Sequence, residues 1–159
     1  MSVLSVQDLT FAYDDRAPVL SGISVEVEEA RATVLLGPNG SGKSTLLSLL
    51  LGYLTPQAGS IEILGRPLHS YHRHELGRTV AFVSPATQLP FNYSVFDYCL
   101  LGRAARMPSW GQPGGKDFAA AEAAISRAGI GHLAGRNVQE LSSGELQLVS
   151  IARGLAQEP

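Results

Sequence analysis

Apolar positions recur along this chain with two different periods, and the change from one to the other divides it. Over residues 3–11 apolar and polar side chains alternate loosely, stopping at the turn Ala12-Tyr13-Asp14-Asp15-Arg16. Residues 19–27 alternate again, with Val19, Ile23, Val25 and Val27 apolar, so the pattern predicts two antiparallel strands. Residues 32–36 are an unbroken apolar run, the pattern of a strand covered on both faces. A glycine-rich loop follows, then a leucine-dense helix over residues 44–51. Residues 60–64 and 79–83 read as further short strands, with a short helix between them at 69–77. Beyond that the spacing is helical. Residues 94–107 place Val95, Tyr98, Leu101 and Ala105 on one side, residues 116–128 are alanine-rich, and residues 141–157 form a last helix behind a polar cap. Residues 107–115 hold two prolines and three glycines and read as a mobile surface loop. The fold class is α/β, mixed in the first half and nearly all helical in the second.

Composition narrows the picture. The chain has 159 residues, 45% hydrophobic and 16% charged, enough apolar material for one packed domain. Its net charge is −2, with only two lysines beside ten arginines, which speaks against a polycationic nucleic-acid binder. A single cysteine, Cys99, rules out an internal disulfide framework and fits a reducing compartment. Residues 46–61 carry no charge, but glycine, proline and polar residues interrupt them, so no membrane span is expected. Residues 1–10 lack the basic start and apolar stretch of a secretory signal.

The chemistry begins at Gly37-Pro38-Asn39-Gly40-Ser41-Gly42-Lys43-Ser44, which matches G-x-x-x-x-G-K-[ST] at every fixed position. Glycines let successive backbone N–H groups converge on an anion that side chains would otherwise block. The helix that follows aims its positive end at the same point. Lys43 adds a full charge for the β- and γ-phosphates, and the Ser44 hydroxyl is a ligand for Mg²⁺. This loop alone is common to kinases, GTPases and motors.

A second motif separates these. Leu141-Ser142-Ser143-Gly144-Glu145, running into LQLVSIARGLAQEP, resembles the LSGGQ signature of ATP-binding cassette (ABC) proteins, and the phosphate loop extended to Thr45 has that family's form. A plain N-cap by Ser142 or Ser143 accounts for the same residues, and both uses draw on the free N–H groups of a helix start. The resemblance implies a P-loop cassette with an antiparallel β subdomain and a helical subdomain. It divides the chain into residues 1–90, 91–140 and 141–159, and the next segment of a full cassette, the Walker B strand, lies past residue 159. On this view the chain carries roughly the first three fifths of a cassette. It also lacks the acidic pair and switch histidine of the family, and with them a general base, which contributes about 10²–10⁴-fold to rate.

The resemblance also implies partners and roles. ATP with Mg²⁺ is the ligand, held by Gly37 to Thr45, with Tyr13 stacking on adenine. Ser142, Ser143, Gly144 and Glu145 face the nucleotide of a second ATP-binding subunit, in a homodimer. Ser143 stands where glycine is commoner. The family's glutamine after the 80–83 strand falls on Pro85 here, and Gln88, three residues on, is the alternative for Mg²⁺ contact. The aromatic run from Phe91 to Tyr98 opens the helical subdomain, whose groove receives a membrane permease, and VFDYCLLGR is similar to importers of iron–siderophore, haem or cobalamin complexes. Such a subunit works on the cytoplasmic face of the membrane, in a system with a periplasmic or extracellular binding protein. Two other classes share these motifs: a catalytically silent nucleotide-binding module, and ABC proteins acting on DNA, although no coiled-coil or zinc insertion is present. The histidines His69, His72 and His74 lack a cysteine or acidic cluster and read as an exposed helix or loop.

Overall fold

The computed structural model describes residues 2–14, 17–84, 92–108 and 110–159. The chain separates into two compact units, residues 1–71 and 72–159.

In the first unit, β1 (Ser2–Phe11), β2 (Leu20–Glu28), β3 (Ala58–Ile63) and β4 (Arg66–Pro67) form one antiparallel sheet in the order β2-β1-β3-β4. Strand β1 sits inside it because both of its edges are paired, Val6 facing Val25 on one side and Ile61 on the other. Val6, Leu9, Phe11, Leu20 and Ile61 share a buried face; Val6 and Leu9 are three positions apart, and the bulge at Asp8, where φ is +48, returns Leu9 and Phe11 to the side that Val6 faces. Helix α1 (Lys43–Leu50) covers that face with Leu46 and Leu49, the latter fully enclosed. Gly59 has φ +85, and a Cβ there would lie 2.4 Å from the Gln7 carbonyl oxygen, so β3 crosses β1 at a point only glycine allows.

Two expected strands do not form. Residues 32–36 have no strand pairing among the described residues, and Val34, Leu35 and Leu36 are 73%, 47% and 84% exposed. A strand is a relation between two segments, and an apolar run meets that condition only beside a neighbour that offers N–H and C=O groups. Residues 80–84 are likewise unpaired, and Thr79 closes a helix instead of opening a strand. The exposed run has a solution consequence. A polypeptide of these 159 residues is expected to self-associate at micromolar concentration, as unpaired apolar segments do. Light scattering checks this; a monodisperse monomer would contradict it.

In the second unit, α2 (Arg73–Thr79) buries no residue and is tied in by Arg78, whose Nε donates to Ala105 O at 2.7 Å, while α3 (Val95–Leu100), α4 (Gly115–Arg127) and α5 (Ser143–Ala156) pack around Val95, Tyr98, Cys99, Ile125, Ile130, Leu133, Leu146 and Val149. The expected helix at 69–77 is thus a short 3₁₀ turn, Leu68–Ser70, followed by α2. The helix expected at 94–107 is α3 continued by a 3₁₀ turn, Leu101–Ala105. Ser94 caps α3 by accepting from the Asp97 N–H. Gly102 lets this segment touch α5 directly: a Cβ there would fall 2.3 Å from the Arg153 carbonyl oxygen. Arg103 is 6% exposed and donates to Asp117 of α4 at 3.1 Å. It also donates to the Ala156 carbonyl and Glu158 carboxylate beyond α5, at 2.8 and 2.6 Å. Cys99 lies fully buried against α5, and burial pushes its thiol up to about 12 despite the nearby Arg153 cation. The surface segment before α4 is irregular, and Trp110 within it is wholly exposed. No helix among the described residues is long and apolar enough to cross a membrane.

Candidate functional site

The glycine-rich loop enters α1 through backbone conformations that only glycine adopts freely. Gly40 has φ +83 and Gly42, the residue capping α1, has φ +86. A Cβ on Gly42 would stand 2.7 Å from Leu20 Cδ2 and 3.3 Å from the Val19 carbonyl oxygen, so β2 presses against the loop here. On Gly37 it would stand 2.7 Å from Ser41 Oγ, inside the curl of the loop. The turn is closed by the Ser41 N–H donating to Pro38 O at 3.3 Å. The intrahelical ladder starts with the Leu46 N–H on Gly42 O, leaving the N–H groups of Lys43, Ser44 and Thr45 outside it. The first turn of α1 holds no acidic residue, so nothing offsets the positive end of the helix.

Lys43 bends back along the loop. Its Nζ donates to Gly37 O and Pro38 O, each at 2.7 Å, which sets a full positive charge over the curl of Gly37, Pro38, Asn39 and Gly40. Ser44 is exposed on the first turn, and its side chain is free to meet a cation beside a bound phosphate. Thr45 is buried at 7% exposure. This set of groups — curled glycines, open N–H groups, one ammonium and one hydroxyl — has the chemistry to hold a polyphosphate and to offer an oxygen ligand to Mg²⁺.

Tyr13 stands two residues past the end of β1 and is 44% exposed as a residue. Its hydroxyl and that of Thr45 share a hydrogen bond of 3.2 Å, in which either oxygen can donate. The Phe11 ring meets it nearly perpendicular, centroids 4.9 Å apart. The structure therefore brings Tyr13 to the phosphate-loop helix, 32 residues further along the chain, a pairing no sequence spacing signals. Asp15 and Arg16 of the adjoining turn lie outside the described residues, as do Pro85, Gln88 and Phe91. His69, His72 and His74 are exposed, and no cluster that would hold a metal ion occurs among the described residues.

In the second unit the serine-led motif forms the exposed tip of α5. Ser142 is the cap: its Oγ accepts from the Glu145 N–H at 3.3 Å and donates to Glu145 Oε2 at 2.7 Å. The Ser142 N–H donates to the same carboxylate at 2.8 Å. This reciprocal capping box was legible as S-x-x-E, but its consequence for the motif was not. The hydroxyl proton of Ser142 is engaged by Glu145. The hydroxyl and N–H of Ser142 hold the Glu145 carboxyl below its ordinary range, and Arg136 at 4.0 Å adds to this. Ser143 opens α5 and is exposed; a Cβ on Gly144 would meet nothing, so the tip has open space for another molecule.

Two of the aromatic residues expected at a docking surface, Val95's neighbour Tyr98 and Phe96, divide in their surroundings. Tyr98 is core, with the Arg153 guanidinium 4.8 Å above its ring. Phe96 is half-buried and stacks on Phe118, centroids 6.2 Å apart.

The ABC transporter family profile matches residues 20–159. The chain is 41% identical over 139 residues to the hemin import ATP-binding protein HmuV of Pseudomonas entomophila, covering 87% of this chain and 53% of that protein. It is 35% identical over 157 residues to the zinc transport system ATP-binding protein TroB of Treponema pallidum, covering 98% and 57%. Among solved structures it resembles cbiO1 of Clostridium perfringens, part of the ABC transporter complex cbiONQ, with TM-score 0.84 and 31% identity, covering 99% of this chain and 62% of that one. The chain thus spans little more than half the length of the curated relatives it matches.

Proposed function

This chain belongs to the ABC transporter family, whose ATP-binding cassettes hydrolyse ATP, and from that membership we propose that it is the ATP-binding portion of an importer subunit. The observation that carries the reading is the loop at the head of α1. Its glycine conformations, three open N–H groups and the Lys43 ammonium converge where no acidic residue opposes them. In this reading residues 37–45 hold the triphosphate, Ser44 supplies a Mg²⁺ ligand, and Tyr13 offers its open ring to adenine. Mg²⁺, when bound, draws charge from the phosphate oxygens.

The exposed tip of α5 serves a different nucleotide, that held by a second copy. In this reading the Ser142 hydroxyl, which donates to Glu145 in the free tip, turns to the γ-phosphate, the backbone at Gly144 donates beside it, and ATP becomes the joint between two subunits. Closure of that joint drives a membrane permease, on the cytoplasmic side, through the surface of half-buried Phe96 and exposed Phe118. The proposed cargo is a metal chelate, an iron–siderophore, haem or cobalamin complex. The hemin and iron chelatin relatives support this assignment, and zinc, molybdate and phosphonate transport proteins are among the other relatives.

A Ser142→Ala exchange tests the joint in the intact protein. It removes a cap worth about 1 kcal/mol of helix stability. It also removes a hydrogen bond to a charged group, worth about 1.5–3 kcal/mol. ATP binding by the monomer is expected to hold, while ATP-dependent dimerisation and turnover fall by about 10-fold or more. Sedimentation with and without ATP, beside a phosphate-release assay, reads both; unchanged dimerisation would overturn the shared-site reading.

A further inference from the structure

We propose that Thr45 is a positioning residue for the nucleotide base, acting through Tyr13 and not through the phosphates alone. The inference rests on the reading that Tyr13 stacks on adenine and adds what makes that stacking effective. An aromatic side chain at a strand end normally samples several rotamers, and ordering it on binding costs affinity. Tyr13 is already ordered. The Phe11 ring, itself buried, braces it at 4.9 Å and 88°, and the Thr45 hydroxyl ties its far end at 3.2 Å. The residue nonetheless stays exposed, open to a ligand.

Thr45 suits this task. It is buried and β-branched, so its hydroxyl has little freedom to swing away. It also lies in the first turn of α1, two residues from Lys43, on the rigid element that carries the phosphate site. The ring plane is therefore indexed to the phosphate loop. Base and triphosphate are read by one connected unit, β1 to Tyr13 to Thr45 to α1, all within residues 1–71. Leucine or phenylalanine in place of either hydroxyl-bearing residue would keep the apolar contact and lose the index.

The test is calorimetry on the intact protein with two probes, Mg²⁺–ATP and Mg²⁺–tripolyphosphate, which lacks a base. Tyr13→Phe keeps the stacking face and loses the tie. It is expected to weaken ATP roughly three- to tenfold, the effect of one neutral hydrogen bond, and to leave tripolyphosphate unchanged. In a Thr45→Val background, Tyr13→Phe is expected to cost nothing further, because the partner hydroxyl is already gone. Thr45→Ser, which retains the hydroxyl, restores ATP affinity and controls for damage to the fold. The proposal is overturned if Tyr13→Phe binds ATP like the parent, if its cost is the same with and without the Thr45 hydroxyl, or if tripolyphosphate weakens equally. Tyr13→Ala separates the two layers. Should it weaken ATP while Tyr13→Phe does not, stacking stands and positioning by Thr45 fails; should it leave ATP affinity unchanged, stacking itself fails.

Discussion

Replacing Lys43 with alanine is expected to weaken ATP binding about 100-fold or more while leaving the melting temperature nearly unchanged. The two halves of this expectation come from the same geometry. The ammonium sits over the loop with only the Gly37 and Pro38 carbonyls as partners, and both lie at the surface where water replaces the lost donor. Folding therefore loses little. A bound triphosphate, by contrast, loses the one full positive charge within its cradle. Hydrogen bonds from a charged donor are worth about 1.5–3 kcal/mol each, and losing two exceeds the 2.7 kcal/mol that separates 100-fold affinities. The stabilisation that saturating ATP gives the parent, about 2.7 kcal/mol at 100 times the dissociation constant, should fall to about 0.4 kcal/mol or less at the same ATP concentration. Calorimetry and thermal melts with and without ATP measure both effects. An alanine variant that binds like the parent would end the nucleotide-binding interpretation of this loop.

Arg103→Met should be the most damaging single exchange to the fold of the second unit. The guanidinium is nearly enclosed and distributes its donors to three places: Asp117 near the start of α4, the last carbonyl of α5 at Ala156, and Glu158 beyond it. Neighbouring Arg106 adds a bond to Gln157 O at 2.8 Å, and Gln157 itself donates to Val80 O at 2.7 Å. Burial alone would lower the Arg103 pKa, yet its hydrogen bonds to Glu158 and Asp117 more than reverse this, and the cation is held charged. Removing a buried partner from such a set costs about 2–4 kcal/mol, or roughly 10–20 °C in melting temperature for a unit of this size. Lysine should recover little, because a single ammonium cannot span a carbonyl and two carboxylates. The deficit also depends on pH. Glu158 is held below its ordinary range chiefly by Arg103, and Asp117 chiefly by the Gly114 N–H and then by Arg103. Depressed carboxyl groups stabilise the fold above the unfolded carboxyl range near 4 and lose that stabilisation as pH falls through their folded values. The gap between parent and variant should be level from pH 6 to 8 and narrow below about pH 4. A gap that stays constant down to pH 3 would rule out the ionic component.

Much of this was readable in the sequence because it is local. Leucines at helical spacing fix which side of α1 faces the sheet, and alternation names part of the buried face of β1, although the bulge at Asp8 that returns Leu9 and Phe11 to that face is not written in the pattern. The phosphate loop is legible because its glycines, its lysine and its hydroxyl must follow one another at fixed spacing. The S-x-x-E cap at Ser142 is legible for the same reason. Residues 32–36 and 79–83 show the limit: their composition suits a strand, but pairing depends on a second segment, which composition does not name. Arg103 and Arg106, three positions apart in one turn, look alike in sequence, and only the tertiary packing of Gly102 against α5 decides that Arg103 goes inside. The Tyr13–Thr45 tie joins a strand end to a helix start, and neither residue's neighbours announce the other.

Cys99 gives the folded molecule an unusual chemical quietness. With its sulfur enclosed between helices and its proton retained far above physiological pH, the chain offers electrophiles no thiolate while it is folded. A spectroscopic label can accordingly be placed on a cysteine engineered at any chosen surface point, such as beside the phosphate loop, and report from there without a competing signal from within.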